Sequence, residues 1–253
     1  MHAIILAAGQ GKRLAGCIEQ PKCLLKICES ASLLERHLSI LEYLGIQKIT
    51  FGLGYQADKI RKVLGNYSSR IQFNIEYNPY FNQGSVVTLW TLREYLRLKE
   101  DILLMDADVL YDYQICQQLL QSPHDNCFLL DRRVDINDEE PVKLCLHHGI
   151  PIEFRKNISK NISYDLIGES VGFFRFSAEM ASQLADRCQY YIDHQYYDLP
   201  YEEAIRDVLL ANLQRFGIED ITGLPWIEID FPEDIIRAQQ IILPLIQSTP
   251  KAS

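Results

Sequence analysis

Two glycines follow a run of small residues near the N-terminus, Leu6-Ala7-Ala8-Gly9-Gln10-Gly11-Lys12-Arg13. Small residues let backbone N–H groups approach a ligand closely, and glycine supplies the positive φ that converging N–H groups often need. Lys12 and Arg13 add two cations beside that turn, and Pro21-Lys22 adds a third further along. Such a cradle suits a triphosphate, whose charge is spread over several oxygens. A Walker loop is excluded, because it needs Ser or Thr after Gly-Lys and Arg13 stands there. The Rossmann fingerprint is excluded too, since Leu14 occupies the place of its third glycine.

Carboxylates form the second signal. Leu103-Leu104-Met105-Asp106-Ala107-Asp108-Val109 places two of them at the end of an apolar run, where open α/β sheets bind their ligands. Hard oxygens there suit Mg²⁺, held by one or two carboxylates plus substrate phosphates. Asp106 and Asp108 point to one side if the strand continues, although Asp106 fits equally as a turn cap. Trp226 to Asp234 is a second acidic run carrying Asp230, while Glu233 and Asp234 after Pro232 suit the start of a helix. No Ser-His or Cys-His signature stands out, and His147 and His148 read as turn residues before Gly149.

Stepping outward, apolar runs alternate with amphipathic stretches. Ala3–Ala8, 48–53, 72–77 and 102–105 read as strands, and 31–45, 56–64 and 85–98 as helices. Regular alternation predicts a doubly wound α/β domain with a mostly parallel sheet and right-handed crossovers. After about residue 125 the pattern changes. Strands are expected at 126–131, 142–146, 171–176 and 226–230, helices at 178–195, 201–216 and from Pro232, and a polar loop or hairpin at 149–168. Residues 1–247 read as one domain, and 248–253 as a frayed tail.

The chain has 253 residues and a formal charge of −9, which argues against a nucleic-acid backbone as partner. With no long apolar run and no leader-like N-terminus, a cytoplasmic protein with no membrane partner is expected. Its seven cysteines, Cys17, Cys23, Cys28, Cys116, Cys127, Cys145 and Cys188, show no paired spacing and are expected reduced. Oligomeric state has no signal here.

The first segment resembles the signature of the sugar-phosphate nucleotidyltransferase superfamily, L-A-A-G-x-G-x-R-L followed by P-K-x-L, matched at Leu6, Ala7, Ala8, Gly9, Gly11, Arg13, Leu14, Pro21, Lys22 and Leu24. The likeness runs along nearly the whole chain. It implies a GT-A-like nucleotidyltransferase fold with a small acceptor-binding extension, residues 1–125 serving the NTP and 126–230 the acceptor. It also implies Arg13, Lys22 and Asp108 as catalytic groups, with Mg²⁺ held by Asp108 and Asp230. Leu6, Ala7, Ala8, Gly9, Gly11, Lys12, Gln83 and Ser85 are the implied nucleotide contacts. An amide such as Gln83 can pair with a pyrimidine edge, whereas Ser85 equally fits a helix N-cap.

Compact length, Asp106-Ala107-Asp108, Gly168-Glu169-Ser170-Val171-Gly172 and Ile229 to Asp234 are similar to the phosphocholine cytidylyltransferase-like branch. That likeness implies CTP and a small phosphorylated or phosphonylated acceptor, phosphocholine-like or 2-aminoethylphosphonate-like, with release of pyrophosphate. Glu169, Tyr197, Asp198 and Tyr201 are the acceptor candidates, with Glu202 and Trp226 beside them, for carboxylates and aromatic faces suit a cation. Arg155, Lys156 and Lys160 would instead meet an anionic acceptor. The alternatives are a sugar-1-phosphate uridylyl- or thymidylyltransferase, a GT-A glycosyltransferase using Asp106-Ala107-Asp108, and a silent nucleotide sensor.

Overall fold

The computed structural model describes residues 1–28 and 31–247. The expected tail at 248–253 lies outside the described residues, as does the side chain of Cys28. The strands are β1 His2–Ala7, β2 Lys26–Cys28, β3 Ala31–Ser32, β4 Lys48–Leu53, β5 Gln72–Tyr77, β6 Ile102–Asp106, β7 Val109–Tyr111, β8 Cys127–Asp131, β9 Lys143–His147, β10 Ile150–Arg155, β11 Leu166–Phe176, β12 Gly217–Asp220 and β13 Trp226–Glu228. The helices are α1 Leu33–Tyr43, α2 Ala57–Asn66, α3 Ser85–Thr91, α4 Arg93–Leu96, α5 Tyr113–Gln121, α6 Ala178–Asp193, α7 Tyr201–Ala211 and α8 Pro232–Arg237.

A nine-stranded sheet runs β10-β9-β11-β6-β1-β4-β5, with β8 and β12 attached beside β11. Pairs β1–β4, β1–β6 and β4–β5 are parallel, as the strand–helix alternation requires. Long β11 pairs antiparallel with β6, β8 and β9, which is where the sequence pattern changes. Side chains alternate between two cores because successive strand residues face opposite sides. Ala3, Ile5, Leu103, Met105 and Phe173 pack with α1, α2 and α5 on one face. Ile4, Leu104, Phe174 and Phe176 pack with α3, α6 and α7 on the other. The chain is therefore wound on both faces, in agreement with the expected fold class.

Two local expectations are sharpened: the hairpin alternative holds at 149–168, and the 85–98 helix needs correction. Residues 149–168 contain β10, paired to β9 through a turn with His148 and Gly149 at positive φ, and the start of β11. The polar residues Lys156, Asn157, Lys160 and Asn161 lie between β10 and β11, while Glu153 within β10, 5% exposed, is held by Arg206 of α7 at 2.8 Å. The expected 85–98 helix is broken at Leu92, where the Thr91 hydroxyl donates to the Thr88 carbonyl at 2.7 Å and disturbs the helical ladder. No helix among the described residues is long and apolar enough to cross a membrane.

Candidate active site

The order β6-β1-β4 places the end of β1 where neighbouring chain connections diverge, the usual ligand position in an open α/β sheet. A third core fixes what leaves that edge. Leu14, Leu25, Ile27, Leu33, Leu110, Ile227 and Ile229 pack together, clamping the glycine turn, the Lys22 segment and β13 into one body. Gly11 has φ 59°, and a Cβ there would stand 3.1 Å from Lys22 Cγ, so the turn and the lysine are fitted to each other. Pro21, Cys23 and Leu24 are buried and pin Lys22 on both sides. Cys23 is no reactive thiol, since burial pushes it up to about 12.

Lys22 Nζ donates to Asp108 Oδ2 at 3.1 Å and to Asp230. Burial alone would lower the ammonium, but the two aspartates more than offset it and raise Lys22 above the ordinary lysine range. Arg13 donates to Asp230 at 3.0 Å, meets Glu140 at 2.8 Å and lies over the Phe231 ring. The aspartates meet because β7 and β13 pair antiparallel and the Ile229 N–H donates to the Asp108 carbonyl at 3.0 Å. Oxygens of Asp108, Glu228 and Asp230 lie within 4.8 Å of one another. Glu228 borders the cavity between β11 and α7 but is hemmed in by protein; that crowding, then Asp108 and Asp230, pushes its carboxyl up to about 8. Beneath the Asp-Ala-Asp bend, fully buried His37 reaches the Ala107 carbonyl at 3.2 Å and the Tyr111 hydroxyl at 3.3 Å. Desolvation lowers it to about 4, so it stands neutral as a positioning residue.

Two spaces meet at this centre. A cleft of about 390 Å³ runs past the glycine turn, Lys12, Arg13, Lys22 and the Asn82-Gln83 edge. A second cavity lies between β11 and α7, walled by Asp106, Ser170, Phe174, Tyr201, Glu202 and Glu228. Lys156 and Asp230 border both. Tyr201 donates to Asp106 Oδ2 at 2.6 Å, and Gly172, at φ 77°, must be glycine because a Cβ would stand 2.4 Å from that same oxygen. Desolvation and the charges of Asp108, Glu202 and Glu228 raise Asp106 well above the usual carboxylate range. Asp106 therefore faces the second cavity and is no mere turn cap.

Leu6, Ala7, Gly9, Gly11, Lys12, Arg13, Lys22, Gln83, Asp108 and Asp230 all border this cleft or the small recess behind it. Ala8 does not border either space, and its carbonyl accepts from Tyr55 N–H at 3.0 Å. Ser85 is the first residue of α3, and its hydroxyl accepts from Tyr201 N–H at 2.9 Å instead of capping its own helix or facing the cleft. Tyr201 reaches the site, but Tyr197 packs in the second core and Asp198 is exposed outside these cavities. Glu169 is the main displacement. It pairs with Asp131 on the β11 face that carries Val171 and Phe173, whereas Ser170 and Gly172 face the cavity. Arg155 is taken by Glu203 at 2.8 Å, leaving Lys156 as the cation of that stretch at the cleft. Sequence reasoning missed Glu228, Glu140, His37 and Ser170. Only Glu228 carries a signal, since it precedes Asp230 by two on a strand and so shares its side.

Comparison with known proteins bears on the fold and the family. The chain is 25% identical to the CTP:phosphoglutamine cytidylyltransferase of Campylobacter jejuni, over 93% of this chain and 98% of that one. It is 25% identical to the choline-phosphate cytidylyltransferase of Streptococcus pneumoniae, over 96% and 98%. The inositol-1-phosphate CTP transferase of T. maritima superposes with a TM-score of 0.73 at 17% identity, covering 98% of each chain, which shows the shared fold. Residues 3–152 match the MobA-like NTP transferase domain, and the chain belongs to that family of nucleotidyltransferases.

Proposed function

We propose that the protein is a divalent-metal-dependent cytidylyltransferase that joins CTP to a small phosphorylated or phosphonylated metabolite and releases pyrophosphate. One observation carries the reading. The Lys22–Asp108–Asp230 centre stands where the cation-lined cleft meets the acidic cavity, so one substrate can lie on each side of it. CTP is supported by the names of the relatives and by Gln83 and Asn82, whose amides border the cleft and can pair with a pyrimidine edge.

In this reading the glycine turn, Lys12 and Arg13 hold the triphosphate, and Lys22 offsets charge growing around the α-phosphorus. An ionised acceptor oxygen attacks that phosphorus in line. The bond to the α,β-bridging oxygen breaks, and pyrophosphate leaves with its electron pair. No protein nucleophile is required, because the acceptor oxygen is already ionised near neutral pH. The donor set fits a divalent ion, with three hard carboxylates clustered and an ammonium bridging two of them. Asp108, Glu228 and Asp230 would hold Mg²⁺, which polarises the α-phosphate when bound. Residues 1–125 mainly serve the nucleotide and 126–230 the acceptor, except that Asp106 faces the acceptor cavity, Lys156 borders both spaces, and Glu228 and Asp230 return to complete the metal set. The test is acceptor-dependent pyrophosphate release with CTP, UTP, dTTP, ATP and GTP. UTP or dTTP with a sugar phosphate as the preferred pair would overturn the base and acceptor assignment.

A further inference from the structure

The cavity between β11 and α7 contains two buried oxygens without a hydrogen-bond partner, Ser170 Oγ and Glu202 Oε2. Ser170 is only 8% exposed and lines the cavity. Buried polar atoms are paired in about nine cases of ten, so two orphans in one small space call for a common partner. The cavity measures about 60 Å³. That is room for roughly four waters. Its remaining polar wall is acidic, from Asp106 and Glu228, and the Tyr201 hydroxyl is already spent on Asp106. Its mouth opens past Lys156 and Asp230 into the nucleotide cleft.

We infer that this cavity receives a primary ammonium at one end of the acceptor, whose phosphate or phosphonate stands at the mouth beside Lys156. The inference rests on the cytidylyl-transfer reading above and narrows its acceptor class. A primary ammonium brings positive charge to an acidic wall and three N–H donors. Those three match Ser170 Oγ, Glu202 Oε2 and an oxygen of Asp106. A trimethylammonium group has no N–H and leaves both orphans unpaired. The rings of Phe154, Phe174 and Tyr201 that also line the cavity would receive its methyl groups but supply no partner for either oxygen. A neutral alkyl end would leave the carboxylates uncompensated as well.

The test uses the whole protein with CTP and Mg²⁺, comparing acceptors that differ only at the far end. 2-Aminoethylphosphonate is paired with n-propylphosphonate, and O-phosphoethanolamine with phosphocholine. The ammonium member of each pair should show a kcat/KM higher by roughly 10- to 100-fold, the cost of leaving buried acceptors unpaired. That preference should collapse in Glu202→Gln and shrink in Ser170→Ala, with the heat of CTP binding reporting that each variant is folded. Equal or better use of n-propylphosphonate or phosphocholine overturns the inference and leaves cytidylyl transfer standing. Pyrophosphate from no nucleotide with any acceptor overturns the transfer reading instead. Calorimetric binding of the two ammonium compounds then decides the inference without turnover, and absence of binding sinks it.

Discussion

Replacing Lys22 with methionine tests the centre of the site. Its ammonium lies 3.1 Å from Asp108 and also contacts Asp230, with side-chain exposures of 15%, 23% and 27% for the three residues. At an effective dielectric near 20, one such contact at 3.1 Å is about 5 kcal/mol of raw Coulomb attraction. Most of that is offset by desolvation, so the folded protein without metal should lose about 1–3 kcal/mol. Catalysis should suffer more. A donor aimed at growing phosphate charge is typically worth about 10²- to 10³-fold in turnover, and kcat/KM should fall by that much. Metal binding should move the other way. Lys22 competes for the carboxylates that would hold a divalent ion, so removing it should increase the thermal stabilisation given by Mn²⁺ or Mg²⁺ without nucleotide. Pyrophosphate release and melting curves across a metal titration read both effects. A variant that keeps kcat/KM within about threefold, or loses its response to metal, refutes the reasoning.

Three further perturbations follow from the same geometry. Gly172→Ala adds a Cβ 2.4 Å from Asp106 Oδ2 at φ 77°. It should cost about 1–2 kcal/mol from the backbone alone and lower Tm by at least about 2 °C, together with acceptor turnover; an unchanged melt would contradict it. Glu140→Ala frees Arg13 from an ion pair in which both side chains are nearly half exposed, worth at most about 1 kcal/mol. KM for CTP should fall, by up to roughly fivefold, and a rise in initial-rate assays would count against Arg13 as a phosphate ligand. Burial and the charges of Asp131 and Asp138 push Glu169 up to about 7 from 4.5. The folded state then binds more protons than the unfolded one between those values, so this group lowers stability as pH rises from 4.5 to 7. Glu169→Gln should gain about 3 kcal/mol over wild type at pH 8 and nothing at pH 4, read from urea midpoints. His37, lowered to about 4, acts oppositely in the same window, so only the difference between variant and wild type isolates Glu169.

The nucleotide side was legible because its chemistry is local. Gly9, Gly11, Arg13 and Lys22 lie within one short stretch, and the third core merely holds that stretch in place. Parallel strands β1, β4 and β6 were legible for a similar reason, since each is an apolar run buried on both faces, whereas the more exposed β5 showed as alternation. The acceptor side was not, because it depends on pairing across the chain. A bulge in β11 between Ser170 and Phe174, with Gly172 at positive φ, decides which side chains reach the cavity. Glu169 and Ser170 are neighbours in sequence but sit on opposite faces, so a single residue of register decides which of them borders the cavity. Between loop and hairpin at 149–168 the sequence left a choice, and the buried Glu153 of β10 finds its partner Arg206 more than fifty positions away. His37 gave no signal at all, for its partners are a backbone carbonyl and a hydroxyl on other elements.

The most direct test of the account is one reaction followed by mass: purified protein, CTP, Mg²⁺ and 2-aminoethylphosphonate or O-phosphoethanolamine, with and without Asp108→Asn. The account predicts a CMP conjugate of the acceptor formed in step with pyrophosphate, and its loss in the variant. Conjugates formed only from UTP or dTTP with sugar phosphates, or a variant as active as wild type, would contradict it.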